Sequence, residues 1–357
     1  MAKPFRVWAC GDAHVGTDKA NGRDSLAESI RGVEQGGDQG GPGFEWDIAV
    51  NVGDYSGGQG VPEDEEGEEV VRQFGALTKH PREAMYDICG NHDRSGLDEA
   101  QAWWFRKWID PPGEHQEHSQ VNSSRRPYPI EGTWERYKFQ VGNIVFLMMS
   151  DINEPSQKLG RGPLGGNPGG VVSGETFDWW REQVAAHADD IVITAHHYVL
   201  KNTTVASGDW EGFRKKENGE WKSYYHGYKQ QGAPRGASYL YWTDGVENAQ
   251  KFERHLESNP GGVDLWMGGH THTFPDDCHG GKSHLEKAWG GTTFINVAAL
   301  TKYHVSNSTV PMSRLLTFTP GSDELRVQCY LHTADFAPQG WHEPSERMVK
   351  LSRPFEI

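Results

Sequence analysis

Clusters of Asp, Asn and His recur along the chain, most of them directly after a short apolar run. Carboxylate, amide and imidazole groups are side chains that ligate divalent metal ions in proteins. A single cluster would be weak evidence, because Asp and Asn are common in turns. Together the clusters carry enough oxygen and nitrogen donors for two divalent ions side by side. They are Asp12–Ala13–His14, Gly53–Asp54, Gly90–Asn91–His92–Asp93, His196–His197 and Gly268–Gly269–His270–Thr271–His272.

The apolar runs before these clusters are typical of buried strands, because they are short, rich in β-branched residues and bounded by Gly or polar residues. In open α/β sheets, ligands bind beyond the carboxyl ends of the strands. The sequence therefore predicts that five strands deliver the five clusters to one shared rim. The runs are Phe5–Ala9, Asp47–Val52, Met85–Cys89, Ile191–Thr194 and Val263–Met267.

Two adjacent divalent ions suit the hydrolysis of phosphoesters. That reaction needs a nucleophile stronger than water and neutralisation of the phosphoryl charge, and two ions about 3.5–4 Å apart supply both. A short, ionised side chain must bridge them, and Asp54 suits this position because it follows Gly at a strand end. Mixed imidazole, carboxylate and amide ligation favours manganese, iron or zinc over calcium or magnesium. We therefore expect two divalent ions (Mn, Fe or Zn) per chain.

The composition narrows the possible partners. The 357-residue chain has a net charge of −15, which disfavours docking on long nucleic acid or on an anionic membrane. A small anionic substrate stays compatible, because bound metal ions would reverse the local potential. The four cysteines have neither zinc-like nor redox spacing, and the sequence has no signal-peptide core or membrane span. We expect a cytoplasmic protein, although a chain trimmed of its signal would look the same.

Alternating strand and helix patterns predict an α/β layered domain. Apolar residues keep helical spacing in four segments, near 70–77, 97–108, 174–187 and 246–256. Glu175 lies in the first turn of the third segment, where a carboxylate suits the helix dipole. Further strands are predicted at Thr292–Ala298, Arg314–Phe318 and Leu325–Tyr330.

We expect one domain over 1–332, with residues 333–357 as a tail packed on it. Long insertions at about 110–135, 153–173 and 201–240 interrupt the strand and helix pattern. The first and third are rich in Trp, Tyr, His and Arg. Loops of this length are often functional. They could form a substrate wall around the metal rim, or they could be surface loops that pack on themselves.

The five clusters, in this order, resemble the signature blocks of the calcineurin-like metallophosphoesterase superfamily. The likeness covers about residues 5–300. It implies a four-layer α/β/β/α sandwich of two mixed β-sheets flanked by helices. It also assigns seven metal ligands. The ligands of the first ion would be Asp12, His14 and His272. Those of the second would be Asn91, His196 and His270, with Asp54 as the bridge.

The resemblance gives His92 a different role. It implies that His92 points at the phosphate and protonates the leaving oxygen, a general-acid role that suits imidazole. A metal-bridging hydroxide would be the nucleophile. Asp93 is the natural candidate to orient His92. The expected function is hydrolysis of small phosphoesters, either monoesters or diesters.

Three further side chains are candidates for contact with substrate or for support of the ligands. His196 follows its strand directly and fits the ligand position, which leaves His197 for a supporting or substrate role. Arg94 could touch a substrate phosphate or form a surface salt bridge. His304 follows the strand after the last cluster. It could support the ligands or lie in a surface loop.

Gly57 separates the chain from two branches of the superfamily. Three residues after the bridging Asp, the Ser/Thr protein phosphatases have Asp and the purple acid phosphatases have Tyr. The likeness is closest to class III cyclic-nucleotide phosphodiesterases, although Tyr198 stands where that group usually has Pro. Two alternatives remain. One is a metal-dependent nuclease, which the acidic net charge disfavours. The other is an inactive scaffold of the same fold. The sequence does not predict the oligomeric state.

Overall fold

The computed structural model describes residues 3–58, 61–94, 102–150, 170–208, 213–215, 221–223, 239–243, 249–304 and 309–357. The predicted insertion at 153–173, apart from its last four residues, lies outside the described residues. So does most of the insertion at 201–240.

The strands are β1 (Phe5–Cys10), β2 (Ile48–Asn51), β3 (Met85–Asp87), β4 (Glu131–Gly132), β5 (Arg136–Val141), β6 (Ile144–Met149), β7 (Gly170–Val172), β8 (Ile191–His196), β9 (Phe213–Lys215), β10 (Trp221–Ser223), β11 (Leu240–Thr243), β12 (Leu265–Gly268), β13 (Leu285–Ala288), β14 (Thr292–Asn296), β15 (Met312–Phe318), β16 (Glu324–Leu331), β17 (Gly340–Trp341) and β18 (Arg347–Lys350). The helices are α1 (Val15–Ala20), α2 (Ser25–Gln35), α3 (Asp64–Phe74), α4 (Trp103–Trp108), α5 (Gln116–Ser119), α6 (Gly174–Ala186) and α7 (Gln250–Ser258).

Two seven-stranded mixed sheets form the centre of the fold. The first has the order β17-β16-β15-β1-β2-β3, and β18 also pairs with β16. The second has the order β13-β14-β12-β8-β6-β5-β4. Within each sheet, the strands that precede the polar clusters run parallel to one another: β1, β2 and β3 in the first, and β8 and β12 in the second. Their carboxyl ends therefore lie at one edge of each sheet, as the sequence predicts.

Alternating side chains divide the apolar residues between two faces of each sheet. In β1, Val7 faces the core shared by the two sheets, whereas Trp8 packs in a separate cluster on the outer face. In β8, Ile193 belongs to the shared core and Val192 to the outer cluster of the second sheet. The shared core contains residues of both sheets, so it holds them face to face.

Helices cover both outer faces. Leu26 of α2, Val70 of α3 and Phe105 of α4 pack in the cluster outside the first sheet. Trp180 of α6 and Phe252 of α7 pack outside the second. The fold is therefore a four-layer α/β/β/α sandwich, and this prediction is confirmed.

Most predicted elements are present with shifted ends. The helices predicted near 70–77, 174–187 and 246–256 are α3, α6 and α7, and the three late strands are β14, β15 and β16. Part of the helix predicted at 97–108 lies outside the described residues, and α4 is its described part. Helices α1 and α2 and the tail strands β17 and β18 were not predicted. Within the described ranges, none of the helices is long and apolar enough to cross a membrane.

Candidate metal centre

A first group of donors joins the ends of β1 and β12. Nε2 of His272 lies 3.1 Å from Nε2 of His14 and 3.1 Å from Oδ1 of Asp12. All three side chains are buried. One carboxylate and two imidazoles converge here, and together they could hold a metal ion.

A second group surrounds His197, directly after β8. Its Nε2 lies 3.2 Å from Oδ2 of Asp54 and 3.0 Å from Oδ1 of Asn91. The same nitrogen lies 3.2 Å from Nδ1 of His270. Asp54, His197 and His270 could also hold a metal ion, to which Asn91 adds an amide oxygen. Asp54 and Asn91 follow strands of the first sheet, whereas the two histidines follow strands of the second, so both sheets supply donors.

Asp54 lies between the two groups. Its Oδ2 is 3.2 Å from Nε2 of His197 and 3.7 Å from Nε2 of His14. Its Oδ1 accepts a hydrogen bond of 2.7 Å from the backbone N–H of His92. One carboxylate oxygen therefore faces donors from both groups, while the backbone fixes the other oxygen.

Four of these donors lie on left-handed backbone. The φ angle is 53° at Asp12, 41° at His14, 60° at Asp54 and 66° at His270. Positive φ is uncommon for residues with a side chain and costs on the order of 1–3 kcal/mol. Hydrogen bonds between the loops hold this conformation; for example, the Asp12 N–H donates to the carbonyl of Gly53 at 2.8 Å. Strained backbone of this kind clusters at functional sites.

Two glycines allow the donor loops to approach each other closely. A Cβ atom at Gly90 would lie 2.2 Å from Oδ1 of Asp54, and one at Gly269 would lie 2.3 Å from Oδ2 of Asp12. Any larger residue would therefore displace a donor oxygen. This contact explains why Gly accompanies the polar residues in these clusters.

Backbone carbonyls set the tautomers of the two histidines nearest Asp54. Nδ1 of His14 lies 2.7 Å from the carbonyl oxygen of Ser56, and Nδ1 of His197 lies 2.8 Å from that of Val52. A carbonyl oxygen only accepts, so each Nδ1 carries a proton. In the neutral rings Nε2 then presents its lone pair toward Asp54. Metal-ligating histidines typically have this orientation.

The pKa values reflect an ionised carboxylate among imidazoles. Burial, reinforced by nearby imidazoles, lowers the pKa of His14 well below its ordinary value. Burial opposes ionisation of Asp54, but His197 and His92 hold its pKa well below the ordinary value. Burial also opposes protonation of His197, yet the charge of Asp54 raises its pKa to about 10. Asp54 is therefore ionised inside the centre and stabilises positive charge on its neighbour His197.

The donor chemistry fits a metal ion. The Nε2 atoms of His14 and His272 lie 3.1 Å apart, and a neutral His14 directs a lone pair into that contact. Nδ1 of His272 and Nδ2 of Asn91 are buried without a hydrogen-bond partner in the described part of the chain. A cation would bind the nitrogen lone pairs that converge from His14 and His272, whereas Nδ2 of Asn91 is an N–H donor and would not ligate it.

His196 lies outside this centre. Its ring stacks on Trp266, with centroids 3.7 Å apart and an interplanar angle of 10°, and its Nε2 lies 2.7 Å from Oγ1 of Thr194. Strand alternation places His196 on the same face of β8 as Val192. The structure therefore does not bring His196 to the other predicted ligands, and His197 lies among them instead. The alternation within β8 is the sequence signal that could have identified it.

Asp93 contacts backbone rather than the ring of His92. Its Oδ2 accepts hydrogen bonds from the N–H groups of Asp54 at 2.8 Å and Gly90 at 2.9 Å. Its Oδ1 accepts from Tyr55 at 2.7 Å and Ser56 at 2.9 Å. Burial and the neighbouring charge of Asp54 raise the pKa of this carboxyl to about 7. Asp93 therefore ties the loop after β2 to the loop after β3.

His92 faces the centre and is oriented by a carbonyl. Its Nδ1 lies 2.5 Å from the carbonyl oxygen of Gly58, and its Nε2 lies 4.0 Å from Oδ2 of Asp54. The carbonyl of Gly58 thus occupies the orienting position predicted for Asp93, whose carboxylate contacts backbone N–H groups instead. The side chain of Arg94 is buried, which contradicts its alternative as a surface residue.

His304 joins the same centre. Its ring stacks on His14, with centroids 3.6 Å apart at 9°, and meets the ring of His92 edge-on at 4.5 Å. Each of these three rings offers one nitrogen atom, and the three nitrogen atoms lie within 4.8 Å of one another. Of the two interpretations of His304, the surface loop is therefore excluded.

Comparisons with known proteins agree with this geometry. The sequence model of the family described as calcineurin-like phosphoesterase matches residues 5–274. No curated protein matches the chain significantly.

Several solved structures resemble the chain weakly. Vacuolar protein sorting 29 from Cryptosporidium parvum is 11% identical, with 99% of this chain and 100% of that chain covered and a TM-score of 0.36. Vps29 from Chaetomium thermophilum is 8% identical, with 98% and 100% covered and a TM-score of 0.33. The sulfate thiohydrolase SoxB from Thermus thermophilus is 11% identical, with 99% and 58% covered and a TM-score of 0.38. Scores this low carry no argument about function. The family match, in contrast, spans most of the chain and every donor cluster from Asp12 to His272, and the chain belongs to the calcineurin-like phosphoesterase family.

Proposed function

We propose that the protein is a dinuclear metal-dependent hydrolase of small phosphoesters. The position of Asp54 carries the proposal, because its Oδ2 lies 3.2 Å from Nε2 of His197 and 3.7 Å from Nε2 of His14. A carboxylate between two donor groups suits a bridge between two ions. The other proposed ligands are Asp12, His14 and His272 for one ion, and Asn91, His197 and His270 for the other.

A bound pair of divalent ions would lower the pKa of water and neutralise charge on the phosphoryl group. The protein's contribution is to fix the buried donors in place before the ions bind. The backbone contacts of His14, His197 and Asp54 provide this fixation. The mixture of imidazole, carboxylate and amide donors supports manganese, iron or zinc.

His92 is the proposed general acid. Its Nδ1 proton is donated to the carbonyl of Gly58, so a second proton on Nε2 creates an imidazolium. The negative charge of an anionic substrate beside Nε2 would favour that charged form. Transfer of the Nε2 proton to the leaving oxygen would release the alcohol in its neutral form, and such transfer typically contributes 10²–10⁴-fold to the rate.

Two observations support a hydrolase of small esters over the alternatives. The net charge of −15 disfavours long nucleic acid. Every donor type needed for two ions is present and buried, which supports catalysis over an inactive scaffold.

The test uses metal-stripped protein with p-nitrophenyl phosphate and bis-p-nitrophenyl phosphate. Mn²⁺, Fe²⁺, Zn²⁺ and Mg²⁺ are added back one at a time, and bound metal is measured in parallel. We expect hydrolysis of at least one ester to return with two bound ions per chain. A protein that binds no stoichiometric metal would overturn the proposal.

A further inference from the structure

The loop after β14 brings a further imidazole to the centre from outside the region that the family model matches. That match ends at residue 274, whereas His304 stacks on His14 and contacts His92. We propose that His304 is a substrate-contacting residue, held over the centre by the buried carboxylate of Asp18. This inference rests on the proposed function and deepens it, because it names a residue that would bind the phosphoester.

The ring geometry argues against His304 as a further ligand of the ion that His14 would bind. A metal bonded to imidazole nitrogen lies close to the plane of the ring, about 2.0–2.1 Å from the nitrogen. The rings of His304 and His14 are nearly parallel, at 9°, with centroids 3.6 Å apart. The planes of these two nearly parallel rings do not cross close to a ring nitrogen. One ion therefore cannot lie in the ring plane of both His14 and His304. This geometry does not suit His304 as a ligand of that ion, and we assign its ring to the substrate instead.

Asp18 of α1 fixes the loop that carries His304. Its Oδ1 accepts hydrogen bonds from the hydroxyl of Thr301 at 2.5 Å and the N–H of Tyr303 at 3.0 Å. Its Oδ2 accepts from the N–H of Lys302 at 3.0 Å and from Arg23 at 2.5 Å. Asp18 is fully buried, and its pairing with Arg23 offsets the cost of burying the charge. Three consecutive loop residues are thus held by one carboxylate.

Thr301 transmits this restraint to His304. The Thr301 hydroxyl donates to Asp18 and accepts the His304 N–H at 3.3 Å. The Thr301 N–H donates to the carbonyl of Asp12 at 2.9 Å. Helix α1 begins directly after His14, so Asp18 anchors His304 to the helix that His14 precedes. Contacts from helix α1 and from the Thr301 loop therefore hold the rings of His14 and His304 against each other.

Thr17, which His304 contacts, lines a cavity of ≈ 610 Å³. Nδ1 of His304 lies 3.5 Å from the hydroxyl oxygen of Thr17, which donates to the carbonyl of Gly57 at 2.7 Å. Thr17 and Gly57 line the cavity, together with Gly58, Val61 and Pro62. The volume falls in the range of small-molecule sites. His304 thus contacts both the proposed ligand His14 and Thr17 of the cavity wall, and the cavity could hold the organic group of a small ester.

The test compares metal-loaded wild-type protein with His304→Phe, His304→Gln and the surface control His118→Gln. Phe keeps a flat ring for stacking and removes both nitrogens, whereas Gln keeps a polar group. We expect all variants to retain bound metal. His304→Phe should weaken binding of orthophosphate, measured by titration calorimetry, by about 10- to 100-fold, which corresponds to one hydrogen bond to a charged group. His304→Gln should lie between this variant and wild type.

Two results would overturn the proposal. Orthophosphate affinity and KM of His304→Phe equal to wild type would leave only a stacking role. Loss of bound metal in either His304 variant would make His304 a ligand. Orthophosphate binding needs no turnover, so failure of the proposed hydrolysis and failure of the His304 assignment give different results.

The role of Asp18 is tested by a double-mutant cycle. If Asp18 acts through His304, Asp18→Asn should weaken orthophosphate binding in the wild-type background and have little further effect in the His304→Phe background. Unfolding temperatures of the four proteins separate this coupling from general destabilisation. Equal, additive effects in both backgrounds would show that Asp18 is structural and does not position His304.

Discussion

His196 and His197 are adjacent in the chain, yet their imidazoles enter different layers of the fold. The ring of His196 stacks on Trp266 at 3.7 Å in the layer between the second sheet and its helices. Nε2 of His197 lies 3.2 Å from Oδ2 of Asp54 in the centre. One residue along a strand therefore separates a packing role from a metal-binding role.

This separation predicts opposite results for two alanine variants. His197→Ala should lose metal from the site. Turnover should fall by more than about 10- to 100-fold, which is the typical loss when a residue that only supports a metal ligand is removed. His196→Ala should keep its metal and lose about 1–3 kcal/mol of unfolding free energy, because a buried stack and a hydrogen bond disappear. Metal analysis and urea unfolding of both variants check the pair. Metal loss in His196→Ala with intact metal in His197→Ala would reverse our assignment.

Asp54→Ala should lose metal from both groups. Its Oδ2 is the oxygen that faces His14 and His197 together. Titration of the metal-free variant with Mn²⁺ should show neither site binding at wild-type affinity, and hydrolysis of both nitrophenyl esters should disappear. A variant that keeps one tight ion would show that Asp54 belongs to one group alone.

His92→Ala should keep both ions and lose turnover selectively. A general acid matters most when the leaving group is a poor one, so the loss should reach about 10²–10⁴-fold for alkyl esters and be smaller for nitrophenyl esters. The measurement is kcat across esters whose alcohols differ in pKa, with metal content as the control. An equal loss for all leaving groups would contradict the general-acid role.

Asp93→Asn distinguishes the observed role of Asp93 from the one predicted by sequence. The carboxylate accepts four backbone N–H groups around Asp54. An amide can satisfy fewer of them, and each buried group left unpaired costs about 1–3 kcal/mol. We expect lower unfolding free energy and weaker metal binding. Unchanged stability and metal affinity with a shifted pH–rate profile would instead favour a direct action on His92.

A pH-dependent loss of stability is expected from His332. Burial, together with Arg23, lowers the pKa of His332 to about 3 from its ordinary 6.5. Above pH 6.5 the ring is neutral in both states. As the pH falls toward 3, only the unfolded chain binds the proton, and the unfolding free energy falls by about 1.4 kcal/mol per pH unit.

The measurement compares urea unfolding of metal-free wild type and His332→Gln at pH 7.5 and 5.5. Removing metal excludes acid-driven metal loss from the comparison. The difference in unfolding free energy between the two proteins should shrink by about 1.4 kcal/mol at the lower pH. A difference that does not change with pH would show that the ring titrates normally in the folded state.

The parts of the site that sequence predicts are those fixed by strand ends. Asp12, Asp54 and His270 each follow a β-branched or apolar run, and parallel pairing brings those ends to one edge. The sequence order alone favours His196, because that residue follows the apolar run directly, whereas the inward and outward alternation of β8 puts His196 on the outer face. That alternation could have been counted from Ile193 and Val192.

Two other features follow from contacts that no local pattern contains. Asp93 accepts N–H groups from residues 54–56, which lie more than 35 positions away in the chain, and Gly58 reaches His92 from the same loop. His304 depends on a carboxylate in α1, a helix too short for its apolar spacing to be recognised. Such long-range polar contacts become visible only once the fold is known.

The donors of the centre come from both sheets of the sandwich, with Asp54 and Asn91 on one side and His197 and His270 on the other. A metal ion held by all four would act as a cross-link between layers that are otherwise joined by apolar packing. Because the unfolded chain has no such cross-link, occupancy would raise the unfolding free energy by about 2.7 kcal/mol at a free ion concentration of one hundred times Kd. The melting temperature would then depend on the concentration of free metal ions. In a metal-depleted cell the protein would be less stable and more sensitive to proteases.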